Sequence, residues 1–366
     1  MSMLTSEHQS IYTADDPILM ILFVGLLFMT TFAYIIRNIN HFRLGSIGGI
    51  LLFMSIYMSI WRVIGIPPTA STLSYIYQPM CDMLIIVLFL IGYSISVKSK
   101  ELCDYFTTAM MIAMLITVFF YYKNWKLANE INQAHLGTSY YALFLLPTIL
   151  LSPHKWIKYL AITLTGIVII SSFKRGGLIA LVLGLIAYLF VKEVLLEKKI
   201  TKLLWFILLI IILFIALIFI DNAMGNIIST RLMNITKDGG SGRDQVWAVT
   251  WDMIRYSDLK ELLLGHGYNA VLKDSRLGFS AHNDFLEVLY NYGIVCFIPY
   301  VLLHFQLVKQ TFSSIRQKKL ISTVMAFTYV FFFILSMISH VVVYPWVILI
   351  ALSWGLMYKK QNCTDK

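Results

Sequence analysis

The chain has 366 residues, 59% of them hydrophobic and only 13% charged. Soluble domains are nearer half apolar and a quarter charged, so an ordinary water-soluble fold is excluded and a polytopic helical membrane protein is implied. The formal net charge of +10 suits nucleic acid or an anionic membrane surface; the charge placement described below favours the membrane, and no nucleic-acid partner is expected.

The N-terminal stretch MSMLTSEHQSIYTADDP lacks a basic n-region, so no cleavable signal peptide is expected. Eleven apolar spans follow, at about 17–36, 44–61, 80–97, 103–122, 138–151, 157–173, 176–191, 203–220, 285–308, 320–339 and 341–358. A bilayer crossing takes about 20 residues. Taken as one straight helix, 157–191 would reach ~52 Å, against a hydrocarbon core of about 30 Å. Lys174, Arg175, Gly176 and Gly177 interrupt it and predict two short helices with a tight turn between.

Lys and Arg are unevenly placed. The loops 37–43, 98–101, 152–158, 192–202, 309–319 and the tail hold 17 of the 29. The opposite side holds 12, seven of them in the single long loop 221–284, so the short loops divide 17 against 5. The basic side is cytoplasmic by the positive-inside rule. Arg175 and the loop 221–284 then share the non-cytoplasmic side. Within that loop, 244–264 has helical spacing: Val246, Val249, Met253 and Ile254 share a face with Trp247 and Trp251 beside it. This predicts one amphipathic helix at the interface, ended by Gly265, His266 and Gly267.

The polar candidates concentrate here. His282 stands at the mouth of a span, outside the hydrocarbon, as a structural histidine or as a general base that titrates near neutrality. Asn283 follows it, and Asp284 with Glu287 has capping-box spacing for the next helix. Arg243 lies in a glycine-flanked turn and either snorkels to headgroups or grips a phosphate bidentately. Arg175 sits where an unpaired charge is costly, which calls for an anionic partner. Lys174 beside it is a second cation or a headgroup anchor. His266 between two glycines is structural or a binding contact. His135, His304 and His340 are isolated and read as structural, and Asp82 is a weak candidate for a polar contact. Cys81, Cys103, Cys296 and Cys363 have no CxxC spacing, so neither a disulfide framework nor a metal site is expected. There is no P-loop, GxGxxG or DxD pair to hold a nucleotide.

The segments SSFKRGG, SGRDQVW, LLLGHGYN and AHNDFLEVLYNYG, taken in order, resemble the core of the O-antigen ligase/polymerase superfamily over about 157–305. The resemblance implies an all-α, GT-C-like transmembrane bundle in the bacterial inner membrane. Its N-terminal helices are 1–156, its core 157–308 with the periplasmic loop 221–284, and its C-terminal helices and tail 309–366. It implies a metal-independent glycosyltransferase without cofactor, acting on undecaprenyl-pyrophosphate-linked oligosaccharide. Arg175 and Arg243 would bind the pyrophosphate, with Lys174, His266, Asn283 and Asp284 as further substrate contacts. His282 would be the catalytic base. Ligases resemble His-(Asn/Ser/Gln), nine residues, then Gly-x-x-Gly; here His282 and Asn283 lead to Gly293, but the last position is Cys296. That departure, the short chain and the eleven spans favour a polymerase, with a chain-length regulator as an optional partner. The alternatives are a ligase acting on lipid A-core, a lipid-linked glycan transporter, and a protein whose loop binds a partner without chemistry. A transporter often shows internal repeats, and none is evident.

The charge bias has a direct check. A reporter fused near residue 250 is expected to read non-cytoplasmic, and one near 196 or 314 cytoplasmic. A cytoplasmic reading near 250 contradicts the assignment.

Overall fold

A backbone crossing a bilayer must satisfy its own hydrogen bonds, which restricts it to helices or closed barrels. A computed structural model describes residues 25–26, 28–30, 32–33, 36–37, 44–65, 72–98, 100–130, 139–172, 174–208, 211, 239–342 and 347–362. Among them there are helices and no strand. In chain order they are α1 Gly45–Gly65, α2 Thr72–Lys98, α3 Lys100–Glu130, α4 Ser139–Ile149, α5 Lys155–Ser171 and α6 Arg175–Leu189, which runs on into a π-helical stretch Phe190–Leu196. The later helices are α7 Gly239–Arg255, α8 Leu259–Leu264, α9 Ala270–Asp274, α10 Asp284–Arg316, α11 Ile321–Ile338 and α12 Val347–Asn362. The expected spans 17–36 and 203–220, and His135, lie wholly or largely outside the described residues.

Among the described residues six helices are long and apolar enough to cross a membrane: Gly45–Gly65, Pro79–Ser96, Glu101–Lys123, Arg175–Leu196, Asp284–Arg316 and Ile321–Ile338. Two more, Ser139–Ile149 and Val347–Tyr358, are apolar but shorter. The break between α5 and α6 falls at 172–174, at the expected turn. Residues 244–264 form two helices instead of the single one expected. Asp258 starts the second with a reciprocal cap: its carboxylate accepts from the Glu261 N–H at 2.7 Å, and the Glu261 carboxylate accepts from the Asp258 N–H at 3.2 Å. Satisfying those end groups favours a new start over an unbroken helix.

Apolar side chains alone cannot hold such a bundle together, because lipid is as apolar as leucine. Small residues let backbones meet instead. A Cβ at Gly92 would strike the backbone of Leu352 and Leu356, and one at Gly355 the backbone of Phe89 and Tyr93, so α2 and α12 touch main chain to main chain. Gly184 of α6 instead leaves room for the Phe327 ring of α11. Because α6 and α11 run antiparallel, the turn at 172–174 and the segment 339–342 come to one end of the bundle, where Gly176 abuts Ile338. Tyr188 bonds Thr323 toward the other end.

Among the described residues one Arg–carboxylate pair has both partners buried. Arg62 of α1 grips Asp82 of α2 through two bonds, Nε to Oδ2 at 2.6 Å and Nη2 to Oδ1 at 2.8 Å, with side chains 6% and 2% exposed. The Tyr268 ring covers the guanidinium 4.0 Å away. Asp82 thus has the polar contact expected of it. Removing one partner strands a buried charge at a cost of about 3–5 kcal/mol, whereas replacing both is often neutral. Arg62→Met is therefore expected to destabilise the protein strongly, and Arg62→Met with Asp82→Leu to recover most of the loss, as read by denaturant unfolding in detergent.

Candidate functional site

The first turn of α10 organises one end of the bundle. Asn283, not Asp284, caps this helix: its side chain accepts from the Phe285 and Leu286 N–H groups at 3.0 and 3.2 Å. Asp284 is buried and accepts the backbone N–H groups of Val341 and Val342 at 3.0 and 3.2 Å. Glu287, also buried, accepts the His282 N–H at 3.2 Å, and the same oxygen lies 3.0 Å from His340 Nδ1. The expected pairing of Asp284 with Glu287 as a capping box is therefore replaced. Asn283 sits one residue nearer the helix start and has the better cap geometry, which frees both acids to tie other segments down.

His282 is held in the left-handed region, at φ 50°. His is among the few residues with a side chain that visit this region readily, and strained positions cluster at functional sites. Its ring lies tilted against that of His340, with centroids 4.1 Å apart and planes inclined by 35°. The loop before it is fixed from α7, where Trp247 Nε1 donates to the Ala281 carbonyl at 2.7 Å. Val246, Val249 and Ile254 of α7 are buried, as its apolar spacing predicts, while Trp251 is exposed.

Three cations converge on this place. Lys174 caps α6 and Arg175 is its first residue. Arg243 lies in the first turns of α7, preceded by Gly242 at φ 77°; the helix begins earlier than the sequence suggested. The Lys174 ammonium stands 5.8 Å from the centre of the Tyr140 ring, and Tyr140 is hydrogen-bonded to Ser339. Burial, then the charge of Arg243, lowers the Lys174 pKa. Burial also lowers that of Arg243, with Arg175 adding to the effect and Tyr140 opposing it. Among the described residues none of the three cations has a carboxylate within ion-pair distance. Half-buried positive charge without an acid fits an anionic ligand.

The imidazole of His282 feels the same field. Its pKa is pushed down to about 3, first by burial and then by the charges of His340, Arg243 and Lys174. Burial and these charges thus place His282 below the near-neutral range expected of it.

His266 stands elsewhere. Its ring stacks on Tyr290 at 3.9 Å, its Nδ1 lies 3.2 Å from the Tyr290 carbonyl, and its Nε2 lies 3.3 Å from Glu261. These partners belong to the scaffold. α10 is broken at Gly293 (φ 67°, ψ −177°), which releases the carbonyls of Tyr290 and Asn291 to accept from the N–H groups of His266 and Gly267 at 3.1 and 2.9 Å. Gly265 and Gly293 lie against each other's backbones with no room for a Cβ.

The sequence reading missed His340, set aside as isolated, and Tyr140. Neither has a neighbouring motif. The only available signal for His340 was its place at an outward helix end, level with His282.

Residues 160–301 match the family model described as O-antigen ligase. The match supports the ligase/polymerase superfamily, whose members are glycosyltransferase-like membrane enzymes acting on lipid-linked oligosaccharides. It spans Lys174, Arg175, Arg243, His266 and His282 and leaves His340 outside. No curated protein matches the chain.

The lowered His282 value gives a signed expectation. The folded pKa lies below the unfolded value of about 6.5, so this group has no effect on stability above that pH. It costs stability as pH falls below it, because the unfolded chain then takes the proton more readily. In histidine-labelled, unliganded protein, NMR is expected to show His282 neutral from pH 8 down to 5. A midpoint near 6.5 contradicts the burial and charge described here.

Proposed function

We propose that the chain polymerises undecaprenyl-pyrophosphate-linked oligosaccharide repeat units at the periplasmic face of the bacterial inner membrane. The observation that carries this reading is the convergence of Lys174 and Arg243 on His282, with Arg175 next to Arg243 and no carboxylate paired with any of the three among the described residues. An acceptor sugar hydroxyl attacks the anomeric carbon of the donor. The new C–O bond forms as the bond to the diphosphate oxygen breaks, the electron pair leaves with the diphosphate, and the hydroxyl proton passes to His282. The three cations stabilise the charge gathering on the leaving group. Two lipid-anchored substrates confined to the membrane plane reduce the entropic cost of meeting.

The low proton affinity of unliganded His282 fits this order of events. Two of the charges that depress it, Arg243 and Lys174, are those a bound diphosphate would offset. The base becomes competent when the donor is in place, and a base nearer the working pH transfers protons more effectively.

Ligation to lipid A-core is the second reading, favoured by the description of the matching family model. Cys296 weighs toward polymerisation, since it is buried one turn beyond Gly293 where the ligase pattern has glycine.

Purified protein in liposomes, supplied with lipid-linked repeat units alone, is expected to form a ladder of products. Transfer only when lipid A-core is added would assign a ligase. Arg175→Ala and Arg243→Ala are each expected to lower transfer about a hundredfold, with poor rescue by lysine because a point charge lacks the bidentate fork. His282→Gln is expected to be nearly as inactive as alanine. Wild-type rates in His282→Gln would remove the base assignment.

A further inference from the structure

We propose that Glu287 and His340 form a dyad that orients the His282 ring and governs when it accepts a proton. The inference rests on the reading of His282 as the base. It arises from residues that lie far apart in sequence, one of them outside the segment matched by the family model.

The geometry has three parts. A single oxygen of Glu287 takes the His282 backbone N–H and faces His340 Nδ1, at 3.2 and 3.0 Å, so one carboxylate fixes both residues. The two rings lie tilted against each other with centroids 4.1 Å apart, a spacing that makes a charge on one felt directly by the other. Asp284 fixes the segment carrying His340 by taking the N–H groups of Val341 and Val342. His340 therefore cannot drift from His282 without releasing buried backbone donors.

The surroundings of the two rings differ in sign. His282 faces Arg243 from α7 and Lys174 from the turn before α6, with Arg175 pressing on Arg243 and Tyr140 from α4 bordering the cations. His340 faces the Glu287 carboxylate. With His340 neutral and Glu287 ionised, the dyad carries net negative charge and favours the imidazolium that forms on His282 during transfer. With His340 protonated, its positive ring opposes that imidazolium. The dyad lets His282 act as a base in the first state and silences it in the second.

The test compares wild type with His340→Gln, which keeps an amide donor toward Glu287 but removes the titrating ring. Histidine-labelled protein in nanodiscs, saturated with inorganic pyrophosphate, is titrated by NMR. The His282 midpoint in His340→Gln is expected at least one pH unit above wild type, a tenfold gain in proton affinity. An unchanged midpoint overturns the dyad. If His340→Gln fails to insert, wild type alone decides: coupled rings make the His282 signals inflect where His340 titrates, and a single independent step overturns the proposal. Failure of pyrophosphate to bind counts against the proposed function instead, and the dyad is then tested by the same titration without ligand, from pH 6 to 3.

Discussion

Two buried carboxylates in the first turn of α10 hold together everything at the outward end of the bundle. A carboxylate out of water is costly unless several donors surround it. Asp284 meets that demand with the N–H groups of Val341 and Val342, and Glu287 with the His282 N–H and the His340 ring. Each acid therefore binds α10 to a segment that would otherwise be a loose connection. Their place at a helix start, where backbone N–H groups and the macrodipole favour negative charge, lowers the cost of keeping them. Asn283 supplies the cap, so neither acid is consumed by it.

The break at Gly293 serves the same end by other means. An unbroken helix would retain the carbonyls of Tyr290 and Asn291 for itself. The turn at Gly293 gives them to His266 and Gly267, and Asn291 Oδ1 takes the Val271 N–H at 3.0 Å. The GHG segment is thereby laid along α10, and its neighbour Tyr268 is set over the Arg62–Asp82 pair between α1 and α2. The Tyr57 hydroxyl donates to the Leu264 carbonyl at 2.7 Å and adds a second tie to α1. The extramembrane helices are thus anchored on two sides, and the arginine on α7 is held level with the turn before α6.

Patterns local in the chain were legible in the sequence; pairings across it were not. The lysine, arginine and two glycines at 174–177 announced a break, and α5 and α6 do part beside them, but only Lys174 lies outside the helices: Arg175, Gly176 and Gly177 form the first turn of α6. The apolar face of α7 was legible from its spacing, but the restart at Asp258 was not, because a capping pair and an in-helix acid pair look alike until the backbone is known. The same ambiguity hid the cap at Asn283, next to an aspartate that fits the rule as well. His340 lies 58 positions beyond His282, at the end of another helix, and nothing local joins them. Only the antiparallel packing of α6 and α11 and the grip of Asp284 bring the two rings together. The two glycines left His266 open between a structural and a binding role, and the backbone that Gly265 lies against is that of α10.

The electrostatics of the site are arranged by sign across a few ångströms. Lys174 and Arg243 face His282, with Arg175 acting on Arg243, while the neighbouring His340 ring, tilted against that of His282, faces the Glu287 carboxylate. No carboxylate crosses to pair with the cations among the described residues. Had one done so, the arginines would be less strained and less available to an anion. A diphosphate held by the three cations, as proposed, would offset charge that no carboxylate among the described residues neutralises. Burial first, then His340, then Arg243 and Lys174 lower the His282 proton affinity, so in the proposed reaction the donor supplies the leaving group and offsets the last two of these contributions.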